Sequence, residues 1–400
     1  MTRWLMVGLI PFAWLLSGCG DGGGEGGAFG GLGTIGGGVG TTSIIYVTNS
    51  GSNNVSGYSI NATTGALVPI AGSPFANLSG PSAIAISSDG FFTFVANGRA
   101  NNVTAFRVST DGGLILVPST ALNPNPASVG TTPGAVVISS DTRYLYVVNG
   151  GSDNVTAFNI GTAGVLTSIP QAAGNSNPVS VGGSDPASIV ISKIGKFLYV
   201  ANSGSNDVSA FSIGATGLLT LIPTAGTSRN PISTGGTAPK GIAISPNGSF
   251  LYVANSGSND LTVFQIAANG LLSLVPPAGS SANPISVGST APNAIVISQD
   301  GQFVYTANGG GNVTAFTVGS GGQLTLVPSS AGSLNPASAG TTPVAMTISS
   351  DGQFLYVVNG GGRVSAYAIA QGTGGLAPLS PLFGNPFPAG TTPSAIATPG

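Results

Sequence analysis

Pro239-Lys240-Gly241-Ile242-Ala243-Ile244-Ser245-Pro246-Asn247-Gly248-Ser249-Phe250-Leu251-Tyr252-Val253-Ala254-Asn255 is the stretch whose reading decides the fold. Two short apolar runs flank a Pro-Asn-Gly triplet. Proline presets φ, asparagine supplies a side-chain acceptor and glycine accepts positive φ, so the triplet is a tight turn. Pro239 to Ser245 is one strand, A, and Ser249 to Asn255 is the next, B. Working outward, Ser256 to Asp260 is a loop, and Leu261 to Ile266 reads as a third strand, C. Asn269-Gly270 signals a hairpin, and Leu271 to Val275 is strand D, stopped by Pro276-Pro277.

The unit recurs. Tyr46 to Asn49, Phe94 to Asn97, Tyr146 to Asn149, Tyr199 to Asn202, Tyr252 to Asn255, Tyr305 to Asn308 and Tyr356 to Asn359 carry one tetrapeptide, at steps of 48, 52, 53, 53, 53 and 51 residues. Strand A begins each time at a proline: Pro81, Pro133, Pro186, Pro239, Pro292, Pro343 and Pro393. A fixed period of this size marks one supersecondary unit repeated around an axis or along a solenoid. Four antiparallel strands in each of seven units predict an all-β, seven-bladed β-propeller. The ends choose the ring over the solenoid. The first repeat starts at strand B, Ser43 to Asn49, and the last segment, Pro393 to Ala397, is a lone strand A. These are complementary halves of one blade, so the C-terminal strand is expected to close the ring and protect the sheet edges. The propeller is expected over residues 43–400.

The amino terminus reads differently. Arg3 precedes an apolar run from Trp4 to Leu16, too short to span a bilayer, and Leu16-Ser17-Gly18-Cys19 follows. This resembles the bacterial lipobox. Residues 1–18 are expected to be a lipoprotein signal peptide, Cys19 the lipidated residue, and residues 19–42 a Gly-rich disordered tether. Gly20 rather than Asp follows Cys19, and Asp21 comes one position later. By the same resemblance, the chain is expected to be exported and lipid-anchored in the cell envelope, at the outer membrane. Cys19 is the single cysteine, so no disulfide within one chain can form.

Composition narrows the chemistry. Charged residues make up 5% of the chain and the net charge is −2, with no basic stripe to suit nucleic acid. There is no histidine, and the single glutamate is Glu25, in the tether. The chain carries no Walker loop, no G-x-S-x-G elbow and no zinc-binding pattern. The acids, bases and cations left in the repeats are few. Lys240 and Asp185 flank the proline that opens strand A, and Arg99 and Arg363 interrupt two B–C loops. These four are the candidate ligand-binding residues, suited to an anion at the axial opening. Asp153, Asp207 and Asp260 lie in or beside B–C loops and are the candidate metal ligands; their oxygens would suit Ca²⁺. No other cofactor is expected. Solvated turn residues are the plainer reading of all seven. Asp89, Asp141, Asp300 and Asp351 occupy A–B turns, where a carboxylate caps backbone N–H groups.

The "YVAN" of strand B, the "SPNG" and "SSDG" turns, the "NVTAF" strand C and the "TGLLTLIP" strand D resemble the YVTN family of β-propellers, within the wider lactonase-like group. The resemblance covers residues 43–400 and implies the propeller fold. The fungal lactone-forming relatives use His, Arg and Glu near the axis, and no catalytic residue carries over by position. The expectation from the sequence is therefore a monomeric, non-catalytic binding or scaffold module for an envelope protein or glycan. The alternative is a lactonase-family hydrolase of sugar lactones or other cyclic esters.

Overall fold

The computed structural model describes residues 44–75, 77–170, 177–224, 229–277, 282–330 and 332–399. The expected signal peptide, Cys19 and the expected tether lie outside the described residues. Among the described residues no helix is long and apolar enough to cross a membrane.

Seven antiparallel sheets each run D-C-B-A, and their A strands neighbour one another in an unbroken ring. Blade 5 is representative. Its strands are Pro239–Ile244, Phe250–Asn255, Asp260–Ile266 and Leu272–Leu274. Blades 2 to 7 follow the chain in this order, and blade 1 is shared between its ends. Pro393–Ala397 pairs with Ile44–Asn49 through Tyr46–Ala397, Val47–Ile396, Thr48–Ala395 and Asn49–Pro393. The expected closure is thus present. Side chains add to it: Ser394 Oγ lies 2.9 Å from Thr48 Oγ1 and donates to Pro81 O at 2.7 Å.

Each strand B is buried on both faces because it is sandwiched between neighbouring blades, which is why it reads as a continuous apolar run. The cores lie between blades. Tyr199, Ala201 and Val208 of blade 4 pack with Ile242, Leu251, Val253 and Phe264 of blade 5. Ile45, Val47 and Tyr58 of blade 1 pack with Tyr356, Val358 and Val364 of blade 7, so the last core spans the closure.

A buried tyrosine hydroxyl fastens five of the seven seams; Phe94 of blade 2 has no hydroxyl, and the Tyr252 hydroxyl of blade 5 is buried without a partner among the described residues. Tyr146 donates to Gly217 O at 2.9 Å, Tyr199 to Gly270 O at 3.0 Å, Tyr305 to Gly374 O at 3.1 Å and Tyr356 to Gly65 O at 2.8 Å. The acceptor is always a C–D hairpin glycine of the next blade. Gly217 shows why: its φ is +79°, and a Cβ would lie 2.3 Å from the Tyr144 ring.

The four-stranded blades carry one addition. In six of them, among the described residues, the D–A connection forms a two-residue strand that pairs with the start of strand C, as Ile285–Ser286 does with Asp260 and Leu261. An Asn-Pro step with a cis peptide bond precedes it. The asparagine replaces a backbone partner: Asn283 Oδ1 accepts from Val263 N at 2.9 Å and its Nδ2 donates to Val263 O and Val275 O, both at 2.8 Å.

Candidate functional site

The B–C loops and the starts of the A strands share one face of the disc. The first loop residue of each blade donates its N–H to the carbonyl just before strand A, as Ser203 does to Asp185 at 2.9 Å. The A–B turns and C–D hairpins form the opposite face. All seven candidate ligands from the sequence lie on the first face, in four different settings.

Asp207 and Asp260 open strand C. Each accepts the side-chain amide of the buried asparagine that ends strand B: Asn202 Nδ2 reaches Asp207 Oδ1 and Asn255 Nδ2 reaches Asp260 Oδ1, both at 2.7 Å. The same amides donate to Ser209 and Thr262 at 2.8 Å. Asn54, Asn102, Asn154 and Asn312 do this work in other blades, so here the carboxylate braces the loop. Asp153 stands one position earlier, with φ +51°, and its Oδ1 caps the Asp185 N–H at 2.7 Å. The three aspartates therefore belong to three blades and are not brought together. Among the described residues no group of three or more His, Cys, Asp or Glu side chains converges.

Arg363 replaces the asparagine that opens strand C in blade 7, and it turns outward to Pro386 O at 3.2 Å. Arg99 occupies the loop position held by glycine in the other six blades. In those blades a side chain would strike the preceding D–A loop; a Cβ on Gly257 would lie 2.6 Å from Thr237 Oγ1. Blade 2 reverses the arrangement. Its D–A loop ends in Gly80, where a Cβ would meet Arg99 Cγ at 2.5 Å, so the arginine stem covers the glycine.

Asp185 and Lys240 lie at the inner rim, at the ends of the innermost strands. Both are exposed. Asp185 precedes strand A of blade 4, a place held elsewhere by Gly80, Thr132, Ala238, Ala291, Thr342 and Thr392. Its φ of +51° is shared by those non-glycine equivalents, so that backbone strain belongs to the architecture. Lys240 is the second residue of strand A in blade 5, a place held elsewhere by Ser82, Gly134, Ala187, Asn293, Val344 and Ser394. Side chains here reach round the ring: Ser82 Oγ donates to Pro133 O at 2.5 Å and Asn293 Nδ2 to Pro343 O at 2.9 Å.

The rim is chemically lopsided. Blades 2 and 3 present Ser82, Gly98, Gly134 and Gly150, and a Cβ on Gly134 would meet nothing within 4 Å. Blades 4 to 6 present Asp185, Ser203, Lys240, Ser256 and Asn293. Ser203 Oγ donates to Asp185 Oδ2 at 2.6 Å, and Ser256 Oγ donates to Asn293 Oδ1 at 3.3 Å. The sequence reading missed Ser203 because Ser-Gly-Ser loops repeat; its signal was the lone carboxylate at position 185, where other blades hold Gly, Ala or Thr. The expected capping role of the turn aspartates is observed on the opposite face, where Asp300 Oδ1 accepts from Gln302 N at 3.0 Å and from Ser298 Oγ at 2.5 Å.

A closed seven-bladed ring whose inner rim sets Asp185 and Lys240 on adjacent blades defines a propeller whose rim residues have diverged. Residues 39–222, 170–288 and 279–388 match the family described as Lactonase, 7-bladed beta-propeller, and the chain belongs to that family. It is similar to a 6-phosphogluconolactonase from Formosa agariphila, 30% identical over 179 residues, covering 44% of this chain. That match spans about half the relative's length, 47%. Among solved structures it is similar to a periplasmic gluconolactonase from Pseudomonas aeruginosa, with 21% identity and a TM-score of 0.67, covering 89% of this chain and 98% of that one. A protein from Lactobacillus plantarum is similar at 18% identity and a TM-score of 0.69, covering 89% and 99%. The structural matches establish the fold. The family and the named relatives overturn the expectation of a non-catalytic binding or scaffold module. That expectation leaned on the missing histidine and glutamate, yet a carboxylate and an ammonium suffice for acid–base and electrostatic work.

Proposed function

We propose that the chain is a lactone hydrolase acting on sugar lactones or related cyclic esters at the inner rim of its loop face. The observation that carries this reading is the family match, which extends over residues 39–388. The rim supports it, because ester hydrolysis needs a group to take a proton from water and a charge to meet the developing oxyanion. Asp185 and Lys240 are of those types and stand on adjacent blades. The purified chain, assayed by proton release on a panel that includes glucono-1,5-lactone, turns over at least one lactone above the spontaneous rate. Hydrolysis at the spontaneous rate across the panel sinks the reading.

We also infer that the chain is lipid-anchored through Cys19 as a YVTN-type envelope protein, on the strength of Leu16-Ser17-Gly18-Cys19. The wild type partitions into detergent and Cys19→Ser into the aqueous phase; equal partitioning refutes the anchor.

A further inference from the structure

Blades 4 and 5 carry three rim side chains, Asp185, Ser203 and Lys240, in a combination that no other pair of adjacent blades repeats. Asp185 Oδ2 is occupied by the Ser203 hydroxyl at 2.6 Å. Its Oδ1 faces Gly150 of blade 3, where a Cβ would lie 3.5 Å away, so that residue sets no side chain against the oxygen. Lys240 holds, relative to Ser203, the place in the repeat that Asn293 holds relative to Ser256. The repeat locates it: one period of 53 residues carries Ser203 onto Ser256 and Lys240 onto Asn293, and that pair is in contact at 3.3 Å. Asp185 and Lys240 form no ion pair; among the described residues the ion pair is Arg143–Asp141, on the opposite face. The carboxylate and the ammonium are thus not neutralised by one another. Other carboxylates on this face are committed. Asp153 holds the Asp185 N–H, and Asp207 and Asp260 hold asparagine amides.

We propose that Asp185, Ser203 and Lys240 are the hydrolytic centre, an assignment that rests on the lactone-hydrolase reading above. Asp185 Oδ1 takes a proton from water as the water oxygen bonds to the lactone carbonyl carbon. The carbonyl oxygen becomes an oxyanion beside the Lys240 ammonium. Collapse of this intermediate breaks the acyl–oxygen bond of the ring. The departing ring oxygen takes the proton back from Asp185, leaving a hydroxy acid that ionises to the solvent. Lactone and water are consumed, and Asp185 ends as it began. Ser203 is the positioning residue, because its hydrogen bond fixes which oxygen faces the water. The glycines of blades 2 and 3 leave room for the rest of the substrate.

Each group can be replaced by a residue the ring already tolerates at the equivalent place, so the variants keep the fold. Asp185→Ala copies Ala238, Lys240→Ala copies Ala187, and Ser203→Gly copies Gly150. With glucono-1,5-lactone as the probe, Asp185→Ala lowers kcat by about 100-fold or more, with KM and melting temperature unchanged, and sodium formate restores part of the rate. Lys240→Ala lowers kcat by about 100-fold or more, and Lys240→Arg recovers part of it. Ser203→Gly lowers kcat by roughly 10-fold at constant KM, within the range a second group adds by orienting a base. Wild-type kcat in Asp185→Ala or Lys240→Ala overturns the assignment while leaving the lactonase reading intact. So does an Asp185→Ala variant that formate does not accelerate. A wild-type chain that hydrolyses no lactone removes both.

Discussion

Removing Pro393 to Gly400 takes the closing strand from blade 1. Four residue pairs join that strand to Ile44–Asn49. At about 1 kcal/mol net for each backbone hydrogen bond, the ladder contributes roughly 4 kcal/mol. Ile396 is 9% exposed and packs into the blade 1–blade 7 core, and exposing it adds about 2 kcal/mol. The Ser394 bond to Pro81 O is lost as well. A deficit of about 6 kcal/mol is a large share of the roughly 5–15 kcal/mol that holds folded proteins together. Spread over the unfolding entropy of a ring this size, each kcal/mol lowers the melting temperature by roughly 1–2 °C. The truncated chain therefore melts roughly 6–12 °C below the full one by circular dichroism, and it aggregates through the bared Ile44–Asn49 edge. A melting curve within about 2 °C of the full chain would show that the terminal pairing carries little of the load.

Three further outcomes follow from the geometry. Burial pushes the Tyr199, Tyr252 and Tyr305 phenols well above their ordinary value of 10. Because the folded value exceeds the unfolded one, their stabilisation is complete below about pH 10 and fades as the pH climbs beyond it. Phenolate absorbance and loss of strand signal should rise together in alkali, and ionisation without unfolding would contradict the burial. Asn255→Ala strips the donor from Asp260 Oδ1 and Thr262 Oγ1, costing about 1–3 kcal/mol in urea denaturation. A loss below about 0.5 kcal/mol would mean that the brace is ornamental. Gly80→Ala is destabilising beside Arg99 but much less so in an Arg99→Gly background, with a coupling of about 0.5–3 kcal/mol in a double-mutant cycle. Additive effects would refute the reciprocal packing.

Most of the architecture was legible because local chemistry and global packing agree. Every strand A begins at the expected proline and every strand B ends at the expected asparagine, since proline is suited to a strand start and the asparagine braces the loop beyond it. The D–A connection was less legible. Its recurring Asn-Pro step was visible, but the asparagine satisfies strand C from 20 residues away, a pairing no local pattern encodes. The site was legible only in part. Asp185 and Lys240 stand out as departures from the repeat, whereas Asp153, Asp207 and Asp260 look alike in sequence and occupy two non-equivalent positions. Ser203 could not be distinguished from its copies until its hydroxyl was seen on Asp185.

The tyrosine fasteners carry a consequence for how such a molecule diversifies. Tyr199 and its counterparts grip a main-chain carbonyl, which every hairpin offers whatever its side chains. Neighbouring modules can then drift, duplicate or trade places without breaking the joint between them. A single segment is at liberty to acquire new chemistry at the hub while its junctions stay interchangeable.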